Sequence, residues 1–187
     1  MTQSIHVALK GHAANPARFH QRVEATLTLA SAGALRIAYA IRGFNLDLRV
    51  PTPHAPAPAD ALWKTTCGEL FIGAPDHPQY REFNFSPSGQ WAVVDFADTR
   101  ERAVHAPAVP APTIATRRAE DLLELDVALP AGALPPFGDR FCLALSAVLE
   151  TAGGHLGYWS IVHPHGKPDF HHPAGFVLKL DARGLHT

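Results

Sequence analysis

The sequence predicts an all-β protein, a two-sheet antiparallel β-sandwich with very little helix, and three observations carry that expectation. Apolar residues recur with period two in segment after segment, as they do in half-buried strands. The 17 prolines and 14 glycines are scattered between those segments, where they punctuate strands with turns. No segment combines an apolar period of 3.6 residues with helix start and stop signals. Strands with one apolar and one mixed face are buried most simply by packing two sheets together.

Taken in order, the first clear strand is 23–30, where Val23, Ala25, Leu27 and Leu29 alternate with Glu24, Thr26 and Thr28. A Ser-Ala-Gly loop at 31–33 fits a hairpin into 35–41, whose Leu35, Ile37, Tyr39 and Ile41 share one face. Proline-rich stretches at 51–60 and 105–113 read as extended connectors. Within 62–73, Glu69 lies with Phe71 opposite Leu70 and Ile72; within 80–86, Tyr80, Glu82, Asn84 and Ser86 oppose Phe83 and Phe85. The strand at 121–129 sets Leu123, Leu125, Val127 and Leu129 against Leu122, Glu124 and Asp126, and 130–138 has room for one short turn. Segment 141–150 is apolar enough for the middle of a sheet; its period alone would also admit a helix, and a strand is expected. A further strand is expected at 176–180.

With 187 residues, one domain spanning 1–187 is expected. Lys plus Arg total 16 against 17 for Asp plus Glu, a balance that gives no electrostatic reason to expect nucleic acid or a membrane as partner. The first twenty residues hold no apolar run of signal-peptide length and no later stretch approaches a membrane span, so a cytoplasmic protein is expected. Cys67 and Cys142 fall in apolar strands and read as buried free thiols.

Three blocks carry a family resemblance: 62–73 with its leading Trp63 and a Glu before a Phe, 80–96 with its aromatic strand running into Ser-Pro-Ser-Gly, and 149–180 with Tyr158-Trp159 leading into His-Pro and Gly-Lys-Pro-Asp-Phe-His-His. Together they resemble the bacterial DOMON-like domains related to type-9 carbohydrate-binding modules. The resemblance implies a β-sandwich that offers a concave sheet face and adjoining loops to a ligand, a sugar in some members and haem in others. Fold carries over more safely than function.

The residues themselves point to a small-molecule site. A face bearing Glu69, Glu82 and Asn84, if near Trp91, Glu150 and Trp159, would join flat apolar platforms to directional hydrogen-bonding groups, the mixture that sugars need. The alternative is that the polar residues merely face solvent and that Trp63, Trp91 and Trp159 are core. A carboxylate pair also raises hydrolysis, but no nucleophile motif accompanies it. In 157–163, Trp159, Ile161 and His163 share one face and Tyr158, Ser160 and Val162 the other. The expectation is that Tyr158 and Val162 pack inward, leaving Trp159 and His163 on the open face with Lys167 and Asp169 returning as a polar rim.

The loop 163–172 concentrates chemistry. His163 with His165, and Asp169 with His171, are spaced so that a metal set is allowed, though no closed zinc signature is present and polar contacts to a ligand or to backbone are the simpler roles. Lys167 and Asp169 could form a local ion pair. Haem held through Met and His is disfavoured because the only methionine is Met1; His163 or His171 would have to serve instead. The sequence therefore predicts a non-catalytic small-ligand module without a cofactor, its ligand most plausibly a carbohydrate or sugar-like molecule. The alternatives are a metal- or haem-dependent redox protein or enzyme built on the histidine loop, and a structural or interaction domain.

Overall fold

The structure is a computed structural model that describes residues 2–15, 20–43, 47–105, 108–164 and 166–187; His165 of the candidate metal set lies outside them. Its strands are β1 (Gln3–Gly11), β2 (Arg22–Leu29), β3 (Leu35–Arg42), β4 (Cys67–Gly73), β5 (Tyr80–Phe85), β6 (Trp91–Asp98), β7 (Glu101–Arg102), β8 (Thr113–Ala119), β9 (Leu122–Leu129), β10 (Phe141–Glu150), β11 (Leu156–Ser160), β12 (Leu178–Asp181) and β13 (Gly184–His186). Among the described residues, helix is confined to short 3₁₀ turns, including Leu62–Lys64, Ala131–Ala133 and Pro173–Gly175. None of it is long and apolar enough to cross a membrane.

Every strand pair is antiparallel. The first sheet runs β1-β2-β3-β9-β8, and the second runs β7-β6-β5-β4-β10 with β11 and β12 both on the far side of β10. The sheets are joined by β1, which pairs with β2 over Gln3–Leu9 and then with β11 through Lys10 and Gly11. The sandwich expected from period two is thus the observed fold, with β1 as the strand that changes sheets.

The core between the sheets collects the alternate residues that the sequence pattern selects. From the first sheet come Val23, Leu27, Leu35, Ile37, Tyr39, Leu123 and Leu125; from the second come Leu70, Ile72, Phe83, Phe85, Leu143 and Leu145. Segment 141–150 is a strand over its whole length, because it lies in the interior of the second sheet, paired to β4 on one side and to β11 and β12 on the other. β8 has no alternating apolar face to read, since all but one of its residues are exposed at the edge of the first sheet. At the margin of the core, Arg81 makes a two-point ion pair with Asp95 at 2.6 and 2.7 Å and donates to the Ala133 carbonyl at 2.7 Å, which pins the 131–133 turn to the second sheet.

Candidate functional site

The outer face of the second sheet forms the floor of a cavity of about 630 Å³, within the range of small-molecule sites. Pairing register places the floor: Phe71 is opposite Glu82, Glu69 is opposite both Asn84 and Ser146, and Val148 is opposite both Cys67 and Tyr158. Because these side chains alternate with the core residues, a polar strip of Glu69, Glu82, Asn84 and Ser146 runs beneath the cavity while the same strands bury their Leu, Ile and Phe on the inside.

Three loops raise the walls. The 3₁₀ turn Leu62–Lys64 contributes Trp63 and Lys64, the β6–β7 hairpin contributes Arg100 and Arg102, and the segment after β11 contributes Lys167, Pro168, Phe170 and His171. Leu156 and Tyr158 close the remaining side. The Arg102 guanidinium lies 5.5 Å from the centroid of the Trp63 ring, so the indole is braced by a cation–π contact.

A chain of hydrogen bonds fixes the floor. The Arg100 amide donates to the Tyr80 hydroxyl at 3.0 Å, and that hydroxyl is hydrogen-bonded in turn to His171 Nδ1 at 2.7 Å. His171 Nε2 faces Glu82 Oε2 at 3.8 Å, and the other Glu82 oxygen accepts from the Asn84 amide at 2.6 Å. Glu69 accepts from Ser146 at 3.0 Å and from the Cys67 thiol at 3.7 Å. Burial, reinforced by the nearby Glu82 charge, pushes the Glu69 carboxyl up to about 8, and burial also raises Glu82 against the opposing pull of Asn84, Arg102 and Arg100. Burial and the Arg100 charge lower the His171 imidazole to about 4.

Of the residues expected to form the site, Glu69, Glu82, Lys167 and His171 line this cavity. Asn84 is wholly buried and holds Glu82 from below, and Asp169 stands at the rim. Its partner is Arg100, at 2.7 Å, rather than the Lys167 expected from sequence proximity. Glu150 is on the outer-face parity but is drawn away to Arg49 at 3.0 Å, beyond the cavity lining.

Three placements correct the sequence expectation. Trp159 is 3% exposed within the core, and Tyr158 takes the open face in its place, the reverse of the expected packing of this strand. The cause is pairing: Trp159 lies opposite Ala147, one of the inward residues of β10, whereas Tyr158 lies opposite Val148. Trp91 packs on the core side as well, opposite Phe85. His163 turns toward β1, where Nε2 donates to the Lys10 carbonyl at 2.7 Å and the ring meets His12 edge-on at 4.8 Å. The sequence signal for the true orientation is the chemistry of the two parities, since Trp159 travels with Ile161 and Tyr158 with Ser160. Trp63 and Arg100 come from turns, and Arg102 from the two-residue strand β7, whose placement no local pattern announces.

No group of three His, Cys, Asp or Glu side chains stands at metal-ligand distance among the described residues. His163 spends Nε2 on the Lys10 carbonyl while its buried Nδ1 has no hydrogen-bond partner, and His171 bonds Tyr80 through Nδ1 and faces Glu82 through Nε2.

No family model and no curated relative matches the chain. Solved structures do. The chain superposes on a candidate carbohydrate-binding protein from Bacteroides uniformis ATCC 8492 with a TM-score of 0.60 at 17% identity, covering 94% of this chain and 85% of that one. It superposes on a family 9 carbohydrate-binding module from Caldicellulosiruptor kristjanssonii in complex with cellotriose with a TM-score of 0.57 at 9% identity, covering 94% and 82%. A complex of a family 9 module from the same organism with glucose gives 0.54 at 8% identity, covering 84% and 76%. In fold, the chain is similar to family 9 carbohydrate-binding modules. At these identities the likeness concerns the sandwich alone, and the cavity must be read from its own residues.

Proposed function

We propose that this protein is a non-catalytic module that binds a carbohydrate or sugar-like small molecule in the cavity over the second sheet, and that it is a DOMON-like relative of the type-9 modules. The observation that carries the reading is the cavity's composition: Trp63, Tyr158 and Phe170 offer aromatic surface for the C–H faces of a sugar ring, while Glu82, Lys64, Arg100, Arg102, Lys167 and His171 offer donors and acceptors for its hydroxyls. The shared fold with modules crystallised in complex with cellotriose and glucose supports it.

The disposition of the acids favours binding over hydrolysis. A glycosidase needs its two carboxyl groups to flank the scissile bond. Here Glu69 and Glu82 stand diagonally to one another on adjacent strands of one floor, and each oxygen of Glu69 accepts a hydrogen bond, from Cys67 and from Ser146.

Calorimetric titration with neutral and acidic mono- and oligosaccharides, repeated on Trp63→Ala, tests the reading. Binding to the parent protein that weakens by about 1–3 kcal/mol in Trp63→Ala is expected. Failure of the whole panel to bind would overturn it.

A further inference from the structure

Lys64, Arg100, Arg102 and Lys167 all line the cavity, in a chain whose formal net charge is −1. They arrive from three separate loops, so folding rather than a basic run in the sequence concentrates the positive charge. Arg100 is neutralised by Asp169 at 2.7 Å. Among the described residues, Lys64, Arg102 and Lys167 have no carboxylate within ion-pair distance. Of the floor acids, Glu69 is held toward its uncharged form by burial, and Glu82, also raised by burial, is the one that Arg102 and Arg100 pull back toward the carboxylate.

Backbone strain marks two of the same walls. Positive φ in a residue other than glycine occurs at Ala61 (58°), which precedes the Trp63 turn, and at Arg100 (61°) in the β6–β7 hairpin. Arg100 occupies a two-residue hairpin position that glycine adopts without strain, and what it places there is a guanidinium at the cavity mouth. A fold that holds several cations around an aromatic wall with few anions to match them is complementary to an anion that also carries a ring.

We propose that the ligand of this cavity is an anionic sugar, whose acid group, a carboxylate or a phosphate, is met by Lys64, Arg102 and Lys167 while its ring lies against Trp63 and Tyr158. The inference rests on the carbohydrate-binding reading above and narrows it to one chemical class.

The test compares glucose, glucuronate, glucose 6-phosphate and inorganic phosphate by calorimetry at low and high salt. At least one of the two acidic sugars binds tenfold or more tightly than glucose at low salt, with the advantage shrinking as salt rises. Whichever of the two binds tighter identifies the acid group. Arg102→Gln and Lys167→Gln each reduce the preference for the acidic sugar over glucose several-fold; Lys167 is exposed on its loop, so its replacement leaves the fold standing even if the loss of the Arg102–Trp63 contact does not. Glucose binding as tightly as both acidic sugars would overturn the proposal and leave the carbohydrate reading intact. Inorganic phosphate binding as tightly as glucose 6-phosphate would also overturn it, because the ring would then contribute nothing. No binding by any sugar would remove both.

Discussion

Tyr39 lies across Gly68, with its ring 2.7 Å from where a Cβ on that glycine would stand. The phenol therefore crosses the whole core from β3 in the first sheet to β4 in the second, and its hydroxyl donates to the Glu69 carbonyl at 2.6 Å. Gly68→Ala should force the ring aside and lengthen that bond, a loss of about 1–3 kcal/mol for an overpacked core. A denaturant melt with an unchanged midpoint would contradict this.

The inverted packing of β11 makes a paired prediction. Trp159→Ala, which opens a cavity in the core, should lose about 3–5 kcal/mol of stability. Tyr158→Ala should lose far less in the same melt but weaken binding by about 1–3 kcal/mol, as expected for an aromatic contact to ligand. A larger loss of stability in Tyr158→Ala than in Trp159→Ala would mean that the core and open faces are exchanged, and equal losses would contradict the assignment of Trp159 to the core.

A half-buried group and a buried one tilt stability with pH in opposite directions. His171 has a folded value of about 4, below the ordinary 6.5, so the unfolded chain binds more protons between those values and the contribution of His171 declines as pH falls from 6.5 toward 4. Glu69 has a folded value of about 8, above the ordinary 4.5, so the folded chain holds the extra proton and its contribution declines as pH rises from 4.5 toward 8. Each slope is at most about 1.4 kcal/mol per pH unit. Urea melts across pH 4–9 should show the stability of His171→Gln relative to parent improving at acid pH, and that of Glu69→Gln improving at alkaline pH. A difference that stays flat with pH in either variant would show that the group is not held as the geometry requires.

Both cysteines should titrate as free thiols. Cys67 is opposite Val148 on β10, and Cys142 lies six residues back along the same strand. That separation is roughly 20 Å, far beyond disulfide reach. Denatured, unreduced protein should yield two thiols on reaction with a chromogenic disulfide, and native protein should react slowly because both are buried. Finding none in the denatured chain would contradict the strand register.

The sheets were legible in the sequence because period two reports burial directly: Leu70 and Ile72 against Glu69 and Phe71, or Phe83 and Phe85 against Glu82 and Asn84, reach the faces their parity assigns. The floor of the site follows from the same rule. What parity cannot supply is the sign of a strand that is amphipathic on both sides, and β11 is such a strand; its orientation is set by pairing with β10, a contact between distant segments. The walls were hidden for a related reason. Trp63 and Arg100 sit on turns and Arg102 on the short strand β7, and only the assembled fold brings them to one cavity.

The central place of β10 bears on the order in which the molecule forms. β1, β2 and β3 are successive neighbours and can pair through short connections, whereas the site-bearing sheet is complete only when β10 has met β4, some seventy residues earlier in the chain, together with β11 and β12. Closing such long loops comes late in the folding of β proteins, since their entropy is lost before the contacts repay it. The cavity floor spans that junction, with Glu69 on β4 bonded to Ser146 on β10. Recovery of ligand binding during refolding should thus lag behind the pairing of β1, β2 and β3, making ligand a reporter of a late step, as the equally distant closure of β3 on β9 is, rather than a participant in the early ones.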